Sequence, residues 1–173
     1  MSRNQPKNDG TIELSLSYRP PFDWKAMLDF LAYRAIPGVE AVTEDSYART
    51  FRLAGLAGHF QAFLEPRSHN IRVCVSYGET RHRDLIIERI RALFDVRADS
   101  AQIDEFLVQD SQLAPMVRRF PGLRVPGCWS GYEVAVRAIL GQQVTVKAAS
   151  TLVARVAERY GEAYECDVEG LSY

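Results

Sequence analysis

Apolar and polar residues alternate strictly near the start of the chain. Ile12, Leu14, Leu16 and Tyr18 are interleaved with Thr11, Glu13, Ser15 and Ser17, the period of a half-buried strand. Pro20-Pro21 ends that run, and Asp23 is suited to cap a helix in which Met27, Phe30, Leu31 and Arg34 share a face. Ile36-Pro37-Gly38 stops it. Three further strands are expected over residues 46–53, 59–64 and 70–77, with Gly55 and Gly58 in a hairpin turn between the first two. From about His82 to Phe94 the period becomes helical, with Ile86, Ile90, Leu93 and Phe94 on one side. Successive strands between two helices, without βαβ alternation, predict an α+β domain with an antiparallel sheet over residues 11–95. Residues 1–10 are polar and are expected to be a disordered lead-in.

The pattern then changes. Residues 101–119 read as short helices, Arg119 to Gly127 as a loop punctuated by Pro and Gly, and Trp129 to Leu140 as a helix. Gly141 is expected to end that helix with a positive φ, and Thr145 to cap another running to Tyr160. On this last helix Ala149, Leu152, Val153, Val156 and Tyr160 share a face. Residues 96–173 thus read as an all-helical second unit whose apolar faces call for more partners than these residues supply.

Composition narrows the function. Of 173 residues 47% are hydrophobic and 25% charged, the balance of a soluble globular protein, and the net charge of −1 gives no global basic field. Cys74, Cys128 and Cys166 stand far apart, which argues against a disulfide framework or zinc cluster and fits a cytoplasmic protein. No stretch approaches the roughly 20 apolar residues that span a bilayer. His82-Arg83-Asp84-Leu85 matches a kinase catalytic loop by eye, but Arg89 stands where the metal-binding Asn belongs. His59, His69 and His82 have no metal-ligand spacing.

A local signal lies between Ala114 and Ala157. Arg118, Arg119, Arg124, Arg137, Lys147 and Arg155 are set against a single acid, Glu133. Basic side chains beside helix N-termini suit phosphates, although any helical surface carries some arginines. The loop Gln142-Gln143-Val144-Thr145 sits at the tip of a tight helix–turn–helix. A glutamine there carries both donor and acceptor groups, able to fill a gap in a base stack or bond to base edges. An ordinary helical hairpin with a polar tip has the same pattern.

Several segments resemble a known family. Pro20-Pro21-Phe22-Asp23-Trp24, Leu31 to Glu40 and Tyr47-Ala48-Arg49 resemble the start of bacterial DNA-3-methyladenine glycosylase II. Arg119-Phe120-Pro121-Gly122-Leu123-Arg124-Val125-Pro126-Gly127-Cys128 and Arg137 to Val146 resemble its middle. The resemblance implies an amino-terminal α+β domain like half of a TATA-binding protein, followed by the first helices of a helix-hairpin-helix glycosylase domain. It implies a monomeric DNA-repair enzyme that hydrolyses the N-glycosidic bond of alkylated bases in duplex DNA, without metal or other cofactor. In that family a side chain of the loop matching Gln142-Gln143-Val144 enters the minor groove where the damaged base was, and the base flips into a pocket. DNA contacts are therefore expected from Gln142, Gln143, Val144, Thr145, Arg137 and Lys147.

Two departures follow. The family's best-known member has leucine at the position of Gln143. The family's catalytic Asp, in a Gly/Pro-rich hairpin, has no counterpart here: Asp95, Asp99, Asp104, Asp110 and Asp167 lie outside that motif. Fusions to an upstream alkyl-transferase regulator exist in the family, and the polar lead-in neither supports nor excludes one. The expected function is thus the amino-terminal part of a glycosylase, inactive alone. The alternatives are a non-catalytic DNA- or protein-binding module, and a small-molecule site on the sheet face.

Overall fold

The computed structural model describes residues 10–78 and 82–173. Of the lead-in expected over residues 1–10, all but Gly10 lies outside the described residues. In chain order the elements are β1 (Thr11–Ser17), α1 (Trp24–Arg34), β2 (Glu40–Val42), β3 (Ser46–Leu53), β4 (Leu56–Glu65), β5 (Asn70–Tyr77), α2 (Arg83–Leu93), α3 (Ser100–Leu107), α4 (Ala114–Arg119), α5 (Gly131–Leu140) and α6 (Val146–Tyr160). The strands form one sheet in the order β1-β5-β4-β3-β2, and every pairing is antiparallel. This is the α+β architecture that the alternation predicts.

Period-2 patterning decides which face is buried. Leu14 and Leu16 of β1, Tyr47 and Phe51 of β3, Phe60 and Ala62 of β4, and Ile71, Val73 and Val75 of β5 form one apolar layer. Trp24, Met27, Leu28 and Leu31 of α1 and Ile86, Ile90 and Leu93 of α2 pack against it. The α1 stripe differs from expectation, and Arg34 at its end is exposed. Phe30 is largely exposed, and Leu28 turns inward with Leu31. The Phe94 ring lies 5.3 Å from Trp24 and 5.9 Å from Tyr47, and Trp129 lies 5.2 Å from Phe51 and 5.6 Å from Phe60. Pairs of this kind add about 0.5–1.5 kcal/mol each beyond their buried area. Trp129, which follows α4 in the chain, is thus part of the sheet's core.

The hairpin between β3 and β4 is tighter than expected. Ala54 (φ +50°) and Gly55 (φ +83°) alone make the turn, with Leu53 opposite Leu56. Positive φ at both central residues gives a twist that matches the strands. Gly58 lies inside β4 and serves a different purpose: a Cβ there would sit 2.6 Å from the Ser76 carbonyl oxygen and 2.7 Å from the Phe51 ring. Gly58→Val is therefore expected to cost about 1–3 kcal/mol through overpacking. The readout is a lower urea midpoint at unchanged slope; an unchanged midpoint would mean that β5 yields freely. The short β2 has no alternation to betray it.

The helical half is tied to the sheet by polar groups. Arg124 donates to the carbonyls of Asp95 (2.5 Å), Ala98 (3.2 Å) and Arg19 (2.5 Å), with its guanidinium 4.4 Å above the Phe22 ring. Residues 162–173 pack back against β3 and β4. There the Tyr164 hydroxyl meets His59 Nδ1 at 2.9 Å, and the Thr50 hydroxyl donates to the Tyr173 carbonyl at 2.5 Å.

Candidate nucleic-acid interface

Helices α5 and α6 form a hairpin whose connection is residues 141–145. Each helix starts on a side-chain cap: Ser130 accepts from the Glu133 amide and Thr145 from the Ala148 amide, both at 3.2 Å. The Thr145 cap is the one expected; Ser130 went unread because the apolar run begins at Trp129. The close of α5 differs from expectation. Gly141 has φ −85° and donates to the Arg137 carbonyl at 2.9 Å, still in helical geometry. The positive φ falls instead on Gln143, at +58°. A non-glycine residue held there costs of order 1–3 kcal/mol, so its surroundings must hold it. Gln142, Gln143, Val144 and Thr145 are all exposed and together make the tip of the hairpin.

Lys147 is exposed in the first turn of α6, with no ion-pair partner among the described residues. A cation there opposes the helix dipole, a placement that becomes favourable once an anion sits at the helix N-terminus. The amides of Val146 and Lys147 precede the first intrahelical bond of α6 and point the same way. Arg118, Arg119 and Arg155 are also exposed. Two of the six basic residues counted in the sequence turn inward: Arg124, described above, and Arg137.

Arg137 differs from the other expected contacts in its surroundings. Only 17% of its side chain is exposed; Nη2 donates to the Arg34 carbonyl at 2.9 Å and to Glu40 Oε2 at 3.3 Å. It joins a buried network that sequence reasoning missed. Glu40 (7% exposed) accepts from Tyr47 Oη at 2.6 Å, from Arg49 Nη1 at 3.0 Å and from the Ile36 amide at 2.9 Å. Arg49 (3% exposed) reaches onward to Glu133 of α5, and its guanidinium lies 5.6 Å over the Trp129 ring. Burial and the nearby Glu40 charge push the Tyr47 hydroxyl pKa well up, so Tyr47 remains a neutral donor. Burial alone would lower the Arg49 pKa; the Glu133 and Glu40 carboxylates outweigh it and raise it. An arginine on the inward period of an apolar strand is the signal that could have exposed this network, but its partner Glu133 lies 84 residues away.

A half-open cavity of about 400 Å³ lies between Phe51, Trp129, α5, α6 and Tyr173. Among the described residues no group of three or more His, Cys, Asp or Glu side chains is placed to hold a metal ion, and no helix is long and apolar enough to cross a membrane.

Comparison with known proteins places this arrangement. The chain is 36% identical over 148 residues to DNA-3-methyladenine glycosylase 2 of Escherichia coli, covering 86% of this chain and 50% of that protein. It is 38% identical over 152 residues to the probable bifunctional transcriptional activator/DNA repair enzyme AlkA of Mycobacterium tuberculosis, covering 88% of this chain and 30% of that protein. It therefore spans half or less of the length of these relatives. Among solved structures, a 3-methyladenine DNA-glycosylase from Archaeoglobus fulgidus superposes with a TM-score of 0.75 at 21% identity, over 94% of this chain and 54% of that one. A chain of MBOgg1 in complex with a low-affinity DNA ligand superposes with a TM-score of 0.62 at 18% identity, over 93% of this chain and 50% of that one. At those identities the two structures speak for the fold alone. The AlkA N-terminal domain matches residues 13–130, more than half of the chain, and the chain belongs to that family.

Proposed function

We propose that this chain is the amino-terminal part of a DNA-repair glycosylase that hydrolyses the N-glycosidic bond of alkylated bases of the 3-methyladenine type in duplex DNA. Its domains are an α+β unit over residues 11–95 and the first helices of a glycosylase domain over residues 96–173. It works as a metal-free monomer in the cytoplasm, and the catalytic Asp lies outside this chain. The observation that carries the reading is Gln143, an exposed glutamine held at φ +58° on the tip of a capped helical hairpin. Strain at a tip is worth its cost where the tip must present one side chain in one direction.

The residues divide the work. Lys147 and the free amides at the start of α6 take a phosphate, which positions the hairpin without reading sequence. Gln142 and Val144 flank the groove, and Thr145 keeps the α6 cap while facing the backbone. Gln143 enters the minor groove and fills the gap left by the extruded base. Flipping costs a few kcal/mol, part of which the inserted side chain offsets.

Gln143→Ala should remove one or two hydrogen bonds from the stack, about 1–2 kcal/mol. Binding to a duplex with an abasic-site analogue should then weaken by roughly five- to thirtyfold, with little change on undamaged duplex. Lys147→Ala should weaken both alike and flatten the salt slope by about 0.9. Fluorescence-anisotropy titration of both variants on both duplexes, at two salt concentrations, checks this. Equal losses on the two duplexes for Gln143→Ala would mean that the loop grips backbone and does not probe the stack.

A further inference from the structure

We propose that Glu40, Arg49, Glu133 and Arg137 are positioning residues: together they fix the direction of α5 and so hold the Gln142–Val144 loop at its working height. The purpose of that loop rests on the function proposed above; the mechanical coupling does not.

Within this chain little apolar packing holds α5. None of its residues is fully buried, and Tyr132, Val134 and Ile139 are exposed. In the 173-residue chain apolar burial, the usual anchor of a helix, is therefore thin. Glu133 and Arg137 lie four residues apart and share one face of the helix. Glu133 is held by Arg49 of β3; Arg137 is held by Glu40 of β2 and by the Arg34 carbonyl at the end of α1. Arg49 also binds Glu40, which closes the four charges into one chain. A helix tied to a rigid sheet at two points one turn apart can neither roll nor slide.

The coupling reaches the loop through one residue. The Arg137 carbonyl accepts the Gly141 amide at 2.9 Å, so the residue tied to the sheet also supports the first loop position. Arg34 and Arg137 border the same small cavity as Gly141 and Val144. Arg137 thus acts on DNA through the loop rather than on a phosphate.

Backbone hydrogen exchange on the 173-residue chain tests this without DNA. Arg137→Met should speed exchange at Gly141 and Gln142 by about tenfold, equivalent to about 1.4 kcal/mol of local opening. The ladder amides of β4 and β5 should be unaffected. Arg137→Lys keeps a cation within reach of Glu40 and should restore most of the protection. Should Arg137→Met fail to fold, Glu133→Gln, which keeps volume and one hydrogen bond, carries the same comparison. Unchanged loop exchange, or a rise shared equally by the sheet, overturns the proposal.

A DNA arm separates positioning from contact. Positioning lowers the preference of Arg137→Met for the abasic-analogue duplex about tenfold and leaves the salt slope alone. Equal weakening on both duplexes with a slope lower by about 0.9 would make Arg137 a phosphate ligand and overturn the proposal. Should Gln143→Ala leave the preference unchanged, the reading of the loop falls, while the exchange result still decides the coupling.

Discussion

Arg49→Ala should lower the unfolding free energy by about 3–5 kcal/mol, a large share of the 5–15 kcal/mol typical of a folded protein. The substitution leaves the Glu40 carboxylate 7% exposed with one of its two cationic partners gone, and it frees Glu133 from the sheet. Removing one member of a buried pair is costly because the other charge stays out of water. Burial decides the size of the effect, as a second arginine on the same strand shows. Arg52 also pairs with a glutamate, Glu162, but the side chains are 50% and 72% exposed. Arg52→Ala should cost no more than about 1 kcal/mol. Urea denaturation of both variants, followed by tryptophan fluorescence, makes the comparison. Similar losses for the two would mean that water reaches the network and that its charges are screened.

The second large effect concerns chemistry. The chain alone is expected to release no methylated base from alkylated duplex DNA. A glycosylase must stabilise the positive charge that develops on the sugar as the bond breaks. Preorganised charge of this kind is worth about 10²–10³ in rate even for a single donor. Among the described residues, Glu40 and Glu133, which face α5's tie to the sheet, are both paired with arginines. An excision assay with the protein in excess over DNA is the measurement. Release well above the no-enzyme rate would show that the chain carries a catalytic group of its own.

How far the sequence could be read depended on the range of each interaction. The long strands were legible because alternation is local, as were the Asp23 and Thr145 caps, which act three residues away. Strand β2 was missed because three residues cannot display a period. Gly58 was misplaced because its reason lies on the neighbouring strand, at the Ser76 carbonyl. At the hairpin tip the expected residues do cluster, but the positive φ sits on Gln143, where propensity favours Gly141. The surroundings of Arg137 were not legible for a plain reason. Its charge is visible in the sequence, whereas its partner Glu40 lies 97 residues earlier on another element. Charge is a local property; whether it faces water is not.

Strand order also has a consequence for how the chain is assembled. The earliest of the described strands, β1, has β5 as its only neighbour among the described residues, with Thr11 and Ser76 facing each other across 65 residues. The β3–β4 and β4–β5 hairpins close over short turns and can form as soon as they emerge. β1 cannot, and closing a loop that long carries an entropy cost that must be met before any contact is made. Such non-local pairing slows folding. At about 5–20 residues per second of synthesis, the opening segment waits several seconds for its partner. Of the described strands the earliest made is the last one placed, and until it docks β5 is an open edge.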